Sequence, residues 1–191
     1  MSQVTRCWLS FAAIGSGIVH LALVISSPLP LAIPLLVLGV AELVWAVSVL
    51  VKDRVVTARL AQIGATAPLI LWSLLVVVAT MLGTPQIASP LRFVPMAIAA
   101  AFELFIAGVL GVYLRRLSAT RGPDAAPAPA KTPPAKTQSA GRYLAAVFVG
   151  GLLVGALTTP ALAATQAGTV AQEHGGTMGG MMMMDMPGMG H

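Results

Sequence analysis

Five stretches of the chain are almost free of charge: Cys7 to Ile25, Leu31 to Val51, Leu60 to Leu82, Phe93 to Leu114 and Tyr143 to Ala163. Each is about as long as a helix must be to cross a hydrocarbon core about 30 Å thick, which takes about 20 residues. The overall charge agrees, because 9% of the 191 residues are charged where an ordinary soluble domain carries about 25%. These runs predict an all-α polytopic membrane protein with five transmembrane helices and a disordered C-terminal tail. Its first partner is the lipid bilayer.

Lysine and arginine predict how the helices are threaded. Arg6 precedes the first run, Lys52, Arg54 and Arg59 separate the second from the third, and Arg115, Arg116, Arg121, Lys131, Lys136 and Arg142 separate the fourth from the fifth. Ten of eleven basic residues thus fall on one side and only Arg92 on the other, and the basic side of a membrane protein is cytoplasmic. The expected location is the plasma membrane, with the N-terminus cytoplasmic and the C-terminus extracytoplasmic. The net charge of +5 is then a topology signal, and with no basic stripe interleaved with aromatics it does not point to nucleic acid. Cys7, the single cysteine, can form no intramolecular disulfide and no CxxC site.

Four regions follow from these boundaries: a four-helix transmembrane unit (1–116), a Pro/Ala/Lys cytoplasmic linker (117–142), the fifth transmembrane helix (143–163) and an extracytoplasmic tail (164–191). The linker carries Pro123, Pro127, Pro129, Pro133 and Pro134 and no apolar period, as extended chain requires. Within the first unit the second and fourth runs resemble each other. Ser27-Pro28-Leu29 matches Ser89-Pro90-Leu91, and Pro34 to Glu42-Leu43 matches Pro95 to Glu103-Leu104. The pattern predicts two duplicated hairpins related by an axis along the membrane normal. The fifth run has a second reading, since basic residues, an apolar stretch and Ala161-Leu-Ala163 also form the pattern of a signal peptide cleaved after Ala163.

Three ionisable side chains interrupt the apolar runs: His20, Glu42 and Glu103. A charge at the bilayer centre costs about 2.5 to 3.5 kcal/mol even on a lenient scale, so such residues face the interior of a bundle. Counted from the cytoplasmic ends of their helices they lie about 18, 13 and 16 Å deep, close enough to meet. Each follows a small residue three positions earlier, Gly17, Gly39 and Ala100, where a neighbouring helix can approach closely. The trio reads either as an intramembrane cation or proton site, with Met81 and Met96 at its outer mouth, or as a polar cluster that locks four helices together. One imidazole and two carboxylates suit Cu(I) poorly.

The strongest chemical signal lies in the tail. Seven of the ten methionines, Met178, Met181, Met182, Met183, Met184, Met186 and Met189, crowd into residues 174 to 191 with His174, Asp185 and His191. Interspersed glycine and proline give these side chains no common face on which to pack. Thioethers are soft neutral ligands that favour Cu(I), and imidazole and carboxylate also accept Cu(II) or zinc. Met178 to His191 resembles the Met-rich tails and loops of copper-handling proteins, including the extracellular Met clusters of eukaryotic high-affinity copper transporters. That resemblance implies copper, Cu(I) above all, as the bound ion. A flexible, adhesive Met-rich segment is the plainer alternative.

The expected function is therefore copper binding at the extracytoplasmic face, in copper homeostasis, trafficking or transport. The rival is a non-enzymatic assembly or regulatory role beside another membrane protein or a second copy of the chain, with the tail as a contact segment. Catalysis is not expected, because neither a Ser/His/Asp nor a Cys/His arrangement occurs.

Overall fold

The computed structural model describes residues 1–84, 91–119 and 139–180, with residues 174–180 described by their backbone only. Helices follow in the order α1 (Gln3–Val24), α2 (Leu29–Val51), α3 (Ala58–Met81), α4 (Phe93–Ala119), α5 (Ala140–Ala163) and α6 (Gln166–Gly180). No strand occurs among the described residues. The first five helices are each long and apolar enough to cross a membrane, as the charge-poor runs predict.

The helices extend beyond those runs at their polar ends, because a helix need not stop where hydrocarbon does. At the start of α1 the Ser2 hydroxyl accepts a hydrogen bond from the Thr5 N–H at 3.1 Å, satisfying one of the donors that a helix N-terminus leaves free. α2 starts with Pro28 as its cap and Pro30 in its first turn, where a missing N–H costs nothing. α4 continues through Arg115 and Arg116 to Ala119.

The sixth helix was not expected from the sequence. Its nucleus is Thr165, whose hydroxyl accepts from the Gly168 N–H at 3.2 Å and donates to the Leu162 carbonyl at 2.6 Å. The turn from α5 is so tight that a Cβ on Gly168 would stand 2.1 Å from that same carbonyl oxygen. A threonine cap followed by a glycine that permits the close approach was the available signal. α6 reaches Gly180 and so takes in the first residues of the methionine-rich segment.

α1 is the axis of the bundle. Of its most apolar window 61% is buried, against 44% for α4 and 17% for each of α2, α3 and α5. It packs against α2, α4 and α5, while α3 packs against α4. The small residues of α1 make this possible: Ala12, Ala13, Gly15, Ser16 and Gly17 are all buried. Gly17 and Gly39 face each other where α1 crosses α2, and a Cβ on either would lie 2.9 Å from the other's carbonyl oxygen. Backbones come this close in membranes only where side chains are absent. α5 joins through Trp8, whose indole N–H donates to the Ala146 carbonyl at 2.9 Å and whose ring lies against Gly150.

The hairpins α1/α2 and α3/α4 are both present, but the rest of the packing is not symmetric. A two-fold relation between them would pair α2 with α3 as it pairs α4 with α1. The structure packs α1 on α4, and makes no comparable contact between α2 and α3. Two cavities open along that gap instead. One, of about 410 Å³, is lined by His20, Pro34, Leu38, Gly64, Trp72 and Met96 among others. The other, of about 230 Å³, is lined by Leu38, Glu42, Trp45, Thr57, Gly64 and Ile106 among others.

Polar contacts bind the two ends of the bundle. Arg6 pairs with Asp53 beside Cys7 and Tyr143, whose sulfur and hydroxyl lie 3.2 Å apart. At the opposite end the Arg92 guanidinium donates to the Ala164 carbonyl at 2.9 Å, one of the acceptors left free at the end of α5.

The glycine crossing yields a stability prediction. Gly39→Ala places a methyl group against the backbone of α1, which cannot swing aside, and is expected to cost about 1–3 kcal/mol. At Gly151 an added Cβ meets nothing within 4 Å, so Gly151→Ala should leave the midpoint unchanged or slightly raised. Thermal unfolding of the two variants in detergent micelles checks the contrast.

Candidate functional site

His20, Glu42 and Glu103 come together at the centre of the bundle. They arrive from α1, α2 and α4, and a ligand atom from each lies within 4.8 Å of the others. The notches explain the convergence. Gly17 stands one turn before His20 and Gly39 one turn before Glu42, so the close crossing of α1 and α2 brings both side chains to the same level. Leu21 and Leu43, the residues that follow His20 and Glu42, pack against Gly39 and Gly17 respectively.

The imidazole bridges the two carboxylates. Its Nδ1 lies 2.8 Å from Glu42 Oε2, while its Nε2 lies 3.5 Å from Glu103 Oε1. The side chains of His20, Glu103 and Glu42 are 0%, 1% and 11% exposed. The contacts differ in kind. The first is a hydrogen bond and the second is longer than one, so both His20 Nε2 and Glu103 Oε1 are buried without a hydrogen-bond partner. Ser16 completes the satisfied side, donating its hydroxyl to Glu42 Oε1 at 3.1 Å. Glu42 thereby accepts on both oxygens.

Ser16 had no role assigned from the sequence. Its position four residues before His20, on the same face of α1, was the available signal. Trp72 was likewise unassigned: its ring lines the larger cavity and stacks obliquely on Phe93, with centroids 6.0 Å apart.

The remaining candidates divide. Met96 is buried and lines the larger cavity together with His20. Met81, expected at the outer mouth, is 82% exposed near the end of α3 and does not line that cavity. The period of α3 turns it toward the surrounding medium, and the sequence could not show which face of α3 meets its neighbours. His174 and Met178 belong to α6 by their backbone. Met181, Met182, Met183, Met184, Asp185, Met186, Met189 and His191 lie outside the described residues.

The chemistry of the trio follows from its enclosure. Two carboxylates and one imidazole offer oxygen and nitrogen donors and no soft sulfur, which suits a proton or a borderline divalent ion. Comparison with protein-family models finds no matching family, and no curated protein or solved structure matches the chain. The site therefore rests on its own geometry.

Removing one member of the cluster should be worse than removing all three. His20→Leu leaves two enclosed carboxylates without their shared partner, and such unpaired groups cost about 3–5 kcal/mol. Replacing His20, Glu42 and Glu103 together by leucine, which carries no charge, removes the imbalance. The triple variant should unfold at a higher temperature than His20→Leu, as measured by the loss of helical circular dichroism.

Proposed function

We propose that this integral membrane protein binds copper at the extracytoplasmic face of the plasma membrane through its methionine- and histidine-rich tail, in copper homeostasis, trafficking or transport. The observation that carries the proposal is the concentration of seven methionines, two histidines and an aspartate within residues 174–191. Thioether sulfur is the side-chain donor that holds Cu(I) without first losing a proton, and it stays available where cysteines would be lost to disulfides. The histidines and Asp185 extend the donor set to Cu(II). The protein acts by binding and presenting the metal and performs no catalysis.

The arrangement of charge supports the orientation. Arg92 and the end of α5 share one end of the bundle, and Arg6 and Asp53 share the other. Five alternating spans starting from a cytoplasmic N-terminus deliver the tail to the outside. A reporter enzyme that is active only outside the membrane should work when fused after His191 and fail when inserted near Pro129. The reverse pattern would overturn an external metal tail.

Metal binding is tested on the full-length protein. With the seven tail methionines replaced by leucine, bulk and apolarity stay but the sulfur donors go. Titration with Cu(I) against a competing chelator should show that the leucine variant loses tight binding by at least tenfold. Equal affinity and stoichiometry in the two proteins would mean that the thioethers are not ligands.

A further inference from the structure

The three buried ionisable groups are not needed to hold a tail, and their geometry is not that of a closed hydrogen-bond network. We infer that His20 and Glu103, oriented by Glu42 and Ser16, form an intramembrane site for one borderline divalent metal ion of the zinc type. This site is distinct from the methionine tail and prefers different chemistry.

The unsatisfied side of the cluster indicates where the ion sits. Glu42 has both oxygens engaged, by His20 Nδ1 at 2.8 Å and by the Ser16 hydroxyl at 3.1 Å. A carboxylate that accepts from Nδ1–H fixes the imidazole tautomer and leaves the lone pair on Nε2, which is how metal-binding histidines are commonly held. Nε2 faces Glu103 Oε1 across 3.5 Å, and both atoms are buried and without a hydrogen-bond partner. The separation is too long for a hydrogen bond. Two ligands each about 2.1 Å from a tetrahedral ion stand about 3.4 Å apart, so the spacing matches an N,O pair that shares a zinc-like ion.

Charge balance selects the valence. In the deprotonated form that binds a metal, one imidazole with two carboxylates contributes two negative charges in a medium that stabilises isolated charge poorly. One divalent cation neutralises the cluster. The donors, one aromatic nitrogen and carboxylate oxygens, match zinc and its neighbours and not Cu(I).

The cavities supply access. His20 lines the larger one, which extends towards Leu31, Leu91 and Met96 at the Arg92 end of the bundle. Glu42 lines the smaller one, which extends towards Trp45 and Thr57 at the opposite end. The cluster thus stands between two cavities that approach it from different directions along the α2/α3 gap. Leu38 and Gly64 line both. His20 opens on the larger cavity and Glu42 on the smaller, while Glu103 lines neither.

The test uses the full-length protein with His174→Ala, Asp185→Ala and His191→Ala, so that residues 174–191 keep thioethers as their side-chain ligands and compete little for zinc. Purified in detergent and titrated with zinc alone, this protein should bind one ion per chain. Glu103→Gln, close in size to the native residue, should reduce that affinity at least tenfold, while Glu42→Gln, acting through His20, should reduce it about 10- to 100-fold. Met81→Leu, at the exposed position, should leave it unchanged. Cobalt in place of zinc gives a second readout, because its visible absorption reports nitrogen and oxygen ligation without reliance on any variant. No zinc bound by the starting protein, or binding that Glu103→Gln leaves intact, would overturn the site. Neither result bears on Cu(I) capture by the tail, which the methionine-to-leucine titration decides separately.

Discussion

A histidine and two glutamates enclosed in an apolar helical bundle set the terms for everything packed around them. Water cannot satisfy these groups there, and an unpartnered charge in a low dielectric is among the most costly features a fold can contain. The cost is met partly by the pairing of His20 with Glu42 and by the Ser16 hydroxyl on the second Glu42 oxygen. Those contacts require α1 and α2 to lie unusually close. Gly17 and Gly39 are therefore part of the polar site as much as of the packing: a side chain at either position would meet the opposing backbone.

The same requirement explains why α1 is the most enclosed helix. α1, rich in small residues that admit close neighbours, gains most from being surrounded, whereas the leucine- and valine-rich outer faces of α2 and α3 can lie against lipid at no cost. Exposed Val37, Val40, Val44, Ile70, Leu71 and Leu74 on those two helices fit that division. The gap between α2 and α3 is the counterpart of the tight α1/α2 and α1/α4 contacts. The walls of both cavities are almost wholly apolar, with His20 opening on one and Glu42 on the other.

Two kinds of donor set are thus separated along the chain. Seven sulfur donors crowd into the tail with two histidines and an aspartate, whereas the bundle holds one imidazole and two carboxylates on rigid helices. Met96 is the one sulfur that shares a cavity with His20. A soft ligand set discriminates by donor type, whereas a site that discriminates by charge and by the distance between two donors needs fixed elements.

The five spans were legible in the sequence because a bilayer imposes a length and a polarity that short-range composition reports directly. That His20, Glu42 and Glu103 stand at one level was legible too, since a helix advances by a constant rise. Which faces meet was not. The repeat between the second and fourth runs suggested symmetric hairpins, yet only tertiary packing decided that α1 and α4 touch while α2 and α3 part. The small residues of α1 admit close neighbours and the apolar faces of α2 and α3 are equally content against lipid. For the same reason the sequence could place Met81 near the end of α3 but could not tell that it is exposed and lines neither cavity. The hydrogen bond on one side of His20 and the unfilled 3.5 Å on the other depend on the relative rotation of three helices, a quantity that no single helix encodes.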